Sequence, residues 1–301
     1  MIDHSSTRPL DLAAISRRRL LEPHGIPDAW AARRPGSVPP DGRLLIIAAD
    51  HPARGALGVR EDRRAMASRS DLLRRLAIAV TRPGVDGVLG TADILEDLLL
   101  AGLLGDRMVF GSMNRAGLQG AIFEFDDRFT AYDAATIARL GLDGGKMLTR
   151  VAYDDPATAA TLAASGRAVT ELAAFDRIAL VEPFLSARGA DGWVRNLLDP
   201  DSVIMSIAIA AGLGATSART WLKLPVVPEM DRVLDATTLP TLLLGGDPTS
   251  EPAQTYATWR RALACPPAVG LVVGRSLLYP PDGDVAAAVD IAADLVHGGV
   301  R

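Results

Sequence analysis

Two lysines stand out in a chain of 301 residues that carries 30 arginines. Lys146 lies in GGKMLTRV and Lys223 in WLKLP, both inside apolar runs. Burial disfavours an ammonium and lowers its pKa, which is what an amine needs to attack a carbonyl and form an imine. An arginine cannot do this, because its guanidinium stays protonated. The arginine- and alanine-rich composition fits a GC-rich genome, under which exposed Lys drifts to Arg. A lysine that persists then marks a position where arginine does not serve. A second positive charge at Lys146 would depress Lys223 further. The competing reading stays open: each lysine snorkels to a strand end or pairs with an acid.

Asp50-His51 in AADHP and Glu182 in LVEPF follow apolar runs of their own. A carboxylate in such a place exchanges a proton with a substrate hydroxyl, or balances a lysine in a structural ion pair. His51 reads either as a hydrogen-bonding partner for substrate or as a loop cap. Gly245-Gly246-Asp247 and Gly274-Arg275-Ser276 end two further apolar runs. Glycines there let backbone N–H groups approach an anion, so these turns are candidate phosphate sites, although glycine also ends strands for steric reasons. Asp247 would have to turn away from a dianion or bond a sugar hydroxyl. Tyr153 in VAYDDP either reaches the rim as an acid or base or packs in its loop. Trp193, Trp221 and Trp259 read as packing residues, with Trp193 in a position to cover the site.

Several classes are excluded. One cysteine, Cys265, gives neither a disulfide framework nor a cysteine zinc site. The four histidines, His4, His24, His51 and His297, are scattered, so no metal site and no cofactor are expected. The formal net charge of −4 argues against a nucleic-acid binder while leaving room for a locally held anionic small molecule. No run of 18 apolar residues is present to span a membrane, and the N-terminus lacks a signal-peptide core. Acidic residues among Arg17, Arg18, Arg19, Arg33 and Arg34 speak against a transit peptide. The expectation is a cytoplasmic enzyme.

The elements that must position these residues follow from periodicity. Residues 1–40 read as an extension with one amphipathic helix over 10–21, joined by a Pro/Gly-rich linker over 34–42 to a catalytic domain of residues 41–301. From there, nearly continuous apolar runs predict strands at 44–49, 85–90, 107–112, 145–151, 177–182, 219–224, 241–245 and 269–274, as in parallel strands buried on both faces. Helical spacing fills the intervals at 70–81, 92–104, 131–140, 156–174, 202–213, 229–236, 253–264 and 285–296. Strand starts recur about every 32 residues, which suits βα units, and about 260 residues suit a (β/α)8 TIM barrel. The first strand–helix junction reads ADHPARG rather than GxGxxG, so nothing supports a doubly wound dinucleotide fold. In such a barrel the site lies at the C-terminal ends of the strands. Those ends carry Asp50-His51, Thr91 and Asp93, Met113-Asn114, Lys146 with Tyr153-Asp154, Glu182-Pro183, Lys223, Gly245–Asp247 and Gly274–Ser276.

The ordered set AADHP, GGKMLTRVAYDDP, LVEPF, WLKLP, LLLGGD and LVVGRSL resembles the class I, Schiff-base aldolases of the tagatose-bisphosphate and deoxyribose-phosphate type. It is also similar to archaeal-type fructose-bisphosphate aldolases and, as a subgroup, to actinobacterial aldolase-like barrels found with inositol-catabolism genes. The similarity spans residues 43–296. It implies that Lys223 matches the imine-forming lysine, Lys146 the assisting lysine, Glu182 and Asp50 the acids, and Gly246 and Arg275 the phosphate-holding positions. Catalytic Lys223, Lys146, Glu182 and Asp50 would then act beside substrate-binding His51, Gly245, Gly246, Gly274, Arg275 and Ser276. The activity implied is metal-independent cleavage of a phosphorylated keto sugar or sugar acid. An example is 5-dehydro-2-deoxygluconate 6-phosphate, giving dihydroxyacetone phosphate and malonate semialdehyde. A homo-oligomer is expected, with no nucleic-acid or membrane partner. The alternatives are a non-catalytic phosphosugar-binding barrel, as a sensor or scaffold, and a phosphosugar isomerase. The 114–142 stretch departs from the common aldolases.

Overall fold

A computed structural model describes residues 10–115, 117–246, 248 and 251–298; His4 and Asp247 lie outside the described residues. Nine strands run β1 Leu44–Ala48, β2 Gly87–Gly90, β3 Met108–Ser112, β4 Gly144–Val151, β5 Ile178–Arg188, β6 Val194–Asn196, β7 Thr220–Leu224, β8 Thr241–Leu244 and β9 Ala268–Val273. All but β6 pair in parallel. The sheet order is β4-β3-β2-β1-β9-β8-β7-β5, and β4 also pairs with β5, so the eight parallel strands close into the expected barrel. Helices alternate with the strands around the outside, each expected segment being present within a few residues of its predicted bounds.

Two apolar layers hold the barrel. Leu44, Ile46, Leu89, Met108, Phe110, Leu180, Leu242 and Val272 fill the lumen, with Trp221 against Phe110 at 6.3 Å between ring centroids. Alternate residues of the same strands, such as Leu45, Ile47, Val109, Val181 and Leu243, face outward into the larger core beneath the helices. This is the period-two alternation of a closed sheet buried on both faces.

The structure adds four elements to the sequence reading, one of them the short 3-10 helix His51–Arg54 after β1. Strand β5 runs on to Arg188, six residues beyond its expected end, and turns back antiparallel as β6. Pro183 reads as a strand stop in sequence, yet here it sits within the β4–β5 pairing opposite Thr149. A four-residue helix, Arg275–Leu278, follows β9. The N-terminal segment holds a second helix, Gly25–Ala32, whose Gly25 and Pro27 resemble breakers but fall in its tolerant first turn. Its Trp30 is buried in the outer core. Arg33 donates to the carbonyls of Arg107 at 2.8 Å and Gly141 at 2.7 Å, just ahead of β3 and β4. Arg19 pairs with Glu96 and Asp97. The described part of the extension therefore packs along the helix Ala92–Leu100 and reaches the loops ahead of β3 and β4.

His297 joins the segments ahead of β1 and β2. Its Nδ1 lies 2.7 Å from Asp41 and its Nε2 3.1 Å from both Asp86 and the Gly84 carbonyl. With acceptors at both nitrogens, the charged ring fits best. Burial opposes that charge, but Asp41 and Asp86 outweigh it and raise the His297 pKa above its ordinary value. A raised folded-state pKa gives stability that is complete below the unfolded value and fades as pH rises through the folded one. His297→Gln should therefore lower the unfolding free energy by about 1 kcal/mol near pH 6, with the gap narrowing as pH climbs through and above neutrality. Denaturant titrations of both proteins across that range measure it.

Candidate active site

Strand alternation delivers the chemistry to one place. On β1, Leu44, Ile46 and Ala48 point into the lumen, so the next residue in phase is Asp50. On β5 the lumen residues Ile178 and Leu180 lead to Glu182, and on β7 Trp221 leads to Lys223. Lys146 of β4 stands beside Ser112 of β3 in register. The four residues expected to act together are thus all above the apolar plug, at the C-terminal mouth.

They form one contiguous buried cluster. Lys223 Nζ donates to Glu182 Oε1 at 2.8 Å, and the second Glu182 oxygen pairs with Lys146. Lys146 Nζ also reaches Asp50 Oδ2 at 3.3 Å. Ser112 Oγ donates to the same Asp50 oxygen at 3.3 Å and accepts from Arg115 Nε at 2.9 Å. The Arg115 guanidinium pairs with Asp50 as well. Two carboxylates therefore face three cations, all of them buried.

That imbalance governs protonation. Burial drives both lysines below the ordinary lysine value, and Arg115 pushes each further down, while Glu182 pulls the other way. Burial acts to raise Glu182, but the two ammonium groups outweigh it and hold the carboxyl well below its usual range. Releasing one proton from one amine makes the cluster neutral, at far less cost than leaving an uncompensated buried charge. Burial and Arg115 lower Lys146 further than Lys223. The contacts instead favour charge on Lys146, which touches two carboxylates against one for Lys223. These direct ion pairs are the basis for keeping Lys146 as the cation.

Arg115 was not expected from sequence. Burial lowers even its guanidinium, to about 10. Nor was Arg150, the next lumen residue after Lys146 and Leu148. Its Nε donates to Asp127 at 2.8 Å, its Nη1 lies 3.2 Å from Glu124, and all three residues are buried. Arg54 adds a bond to the Gly117 carbonyl at 3.1 Å. These contacts tether the 117–130 segment over the mouth. Asn114 completes the tether, donating to Leu148 and Asp127 carbonyls at 2.6 and 3.1 Å. The lumen phase of β4, counted on from Lys146, would have pointed to Arg150; no pattern in the sequence marks Arg115.

The cavity above the cluster has a volume of about 710 Å³, within the range of small-molecule sites. Seven lysine and arginine residues line it against three carboxylates, in a chain whose net charge is −4. His51, Gly245, Gly246, Gly274 and Arg275 also line it. The glycines have separate reasons. Gly246 has φ of +67° and open space around it, whereas a Cβ at Gly274 would meet the Ala48 carbonyl oxygen at 2.4 Å. Ser276 turns its hydroxyl to the Gly245 carbonyl, 3.4 Å away, and does not line the cavity. Tyr153 is exposed and Thr91 bonds Asp93 at 2.5 Å; neither lines the cavity. Trp259 does, while Trp193 sits half-exposed on the β5–β6 turn against Gly120. Among the described residues, no group of three His, Cys, Asp or Glu side chains could hold a metal ion, and no helix is long and apolar enough to cross a membrane.

Replacing Arg150 by Met strands the buried Glu124 and Asp127. The variant should lose about 3–5 kcal/mol in denaturant unfolding, and the 117–130 segment should become the first site of proteolytic cleavage.

A family model described as Cgl0159-like matches residues 42–293. The crystal structure of Cgl0159 from Corynebacterium glutamicum (Brevibacterium flavum) superposes with a TM-score of 0.93 at 53% identity, covering 96% of this chain and 97% of that one. An archaeal fructose 1,6-bisphosphate aldolase matches with a TM-score of 0.66 at 19% identity, over 91% of this chain and 100% of that one. A further archaeal fructose-1,6-bisphosphate aldolase, solved with its catalytic Lys covalently bound to the carbinolamine intermediate of the substrate, matches with a TM-score of 0.65 at 19% identity, over 90% and 99%. At such identities the aldolase likeness speaks for the fold. A search of curated proteins gave no match.

Proposed function

The chain belongs to the Cgl0159-like family, and within it we propose a class I aldolase that cleaves a phosphorylated keto sugar or sugar acid through a Schiff base on Lys223. One observation carries this reading: Lys223 is buried in the lumen on a single shared carboxylate, inside a cluster whose charge balance favours one neutral amine. A neutral, desolvated amine is the nucleophile that imine formation requires.

Lys223 Nζ attacks the substrate ketone and loses water to give an iminium. The iminium accepts the electron pair of the adjacent carbon–carbon bond as it breaks, leaving an enamine on the lysine and releasing an aldehyde. Glu182, fixed between the two amines, keeps Lys223 aimed into the cavity and can relay protons during addition and loss of water. Lys146, tied to both Glu182 and Asp50, remains the cation that holds substrate oxygens. Asp50 Oδ1, which has no hydrogen-bond partner and lines the cavity, is open to the substrate hydroxyl whose proton leaves as the aldehyde forms. The basic excess along the cavity suits an anionic substrate, and Arg275 with the open Gly246 turn is where its phosphate would sit.

The finer proposal is 5-dehydro-2-deoxygluconate 6-phosphate as substrate, with dihydroxyacetone phosphate and malonate semialdehyde as products and a role in inositol catabolism. Its support is the ordered motif resemblance together with a cavity that favours anions. The archaeal aldolase that holds a carbinolamine on its catalytic lysine lends the chemistry plausibility through its fold.

Borohydride trapping tests the reading. The enzyme is mixed with dihydroxyacetone phosphate, 5-dehydro-2-deoxygluconate 6-phosphate and a panel of phosphorylated ketoses, reduced, digested and weighed peptide by peptide. The expected result is a stable adduct on the Lys223 peptide. Lys223→Arg should abolish adduct and turnover while phosphosugar binding stays within a few-fold. Turnover without adduct would point to an isomerase, and binding with neither to a sensor or scaffold; both contradict the aldolase.

A further inference from the structure

Two buried polar atoms at the cavity mouth have no hydrogen-bond partner: Asp50 Oδ1 and His51 Nδ1. They lie 3.7 Å apart, too far to bond one another, and both residues line the cavity. One oxygen atom can stand about 2.8 Å from each of them at once. Such orphaned atoms cost stability unless something uses them. Pro52, in the first turn of the 3-10 helix His51–Arg54, fixes the backbone that presents them.

Resting on the aldolase reading, we propose that His51 is the general base of the cleavage step: its Nδ1 takes the proton of the substrate hydroxyl, and Asp50 Oδ1 stabilises the imidazolium that forms. As the hydroxyl proton passes to Nδ1, its oxygen forms the aldehyde C=O. The carbon–carbon bond breaks, and its electron pair moves onto the iminium to give the enamine. The imidazolium then returns the proton to the enamine carbon, which restores neutral His51 and the iminium that water hydrolyses.

The neighbouring acids are less suited to the task. Both Glu182 oxygens are committed to the two lysine side chains. Asp50 Oδ2 is committed to Lys146, Ser112 and Arg115, which leaves Oδ1 as an electrostatic partner. The charged groups facing His51 are Asp50, Lys146 from β4, Glu182 from β5, Lys223 from β7 and Arg275 after β9. Burial first, then the positive charge of Arg275 and of the lysine cluster, holds the imidazole well below its ordinary pKa against the pull of Glu182. The ring is thus neutral at neutral pH, its unpartnered Nδ1 is open to a proton, and Asp50 Oδ1 beside it offsets the cost of charging the ring.

His51→Gln keeps a polar side chain of similar reach but cannot carry the proton. With the best-turned-over member of the trapping panel, its kcat should fall about 100-fold or more. KM should stay within a few-fold, and borohydride with dihydroxyacetone phosphate should still label Lys223 to the wild-type extent. The acid limb of the kcat–pH profile should vanish. A variant with kcat within threefold of wild type, or one with an unchanged acid limb, overturns the assignment and leaves the Schiff base intact. A variant that loses adduct in step with kcat also overturns it, because His51 would then serve imine formation. Absence of adduct in the wild-type protein defeats the aldolase reading and the His51 assignment with it.

Discussion

Two carboxylates cannot neutralise three cations. Asp50 and Glu182 share the mouth of the lumen with Lys146, Lys223 and Arg115, and every one of these groups is buried. Burial weakens the solvation of the surplus charge, so the cluster is most stable with one proton missing. Arg115 keeps its proton far more firmly than a lysine does, and the deficit falls on an amine. Shared carboxylates keep both lysines pointed at one cavity, and the same sharing prevents either from being fully neutralised as an ion pair.

The barrel exists to hold that imbalance in place. Its lumen is apolar from Leu44 and Met108 up to Ala48, Leu180 and Val272, so the polar cluster has a dry floor. Strand alternation aims the charged residues inward at one level, and hydrogen-bonded strands on either side leave them little freedom to spread apart. The second set of buried ion pairs, Arg150 with Glu124 and Asp127, lies higher on β4 and does a different job: it draws the 117–130 segment across the mouth. Breaking a buried pair is far costlier than breaking an exposed one, which suits a segment that must stay closed over a site.

Much of this was legible in the sequence. Eight apolar runs at even intervals correspond to the eight barrel strands, and the ends of those runs carry Lys146, Lys223, Glu182 and Asp50. Other features were hidden for identifiable reasons. Pro183 disguised the continuation of β5, because proline usually ends a strand, and the β5–β6 turn was lost with it. Gly25 and Pro27 disguised a helix that tolerates both in its first turn. Among 30 arginines, nothing in sequence distinguishes Arg115, which is buried against Asp50, from those that only meet solvent. The glycine turns were read for anion binding, yet Gly274 is required by the close approach of the β1 backbone. Gly246, with its positive φ and open surroundings, keeps the part of that reading that bears on a ligand.

Because the chain has only two lysines, their protonation is directly observable. In protein labelled with 13C and 15N on lysine alone, NMR reports two side-chain ammonium or amine groups, one each from Lys146 and Lys223, assigned with the Lys223→Arg variant. The account predicts that between them they carry one proton fewer than two ordinary lysines at neutral pH, with the amine titrating below the usual lysine value of 10.5. Two fully protonated ammonium groups, each titrating at or above that value, would contradict it.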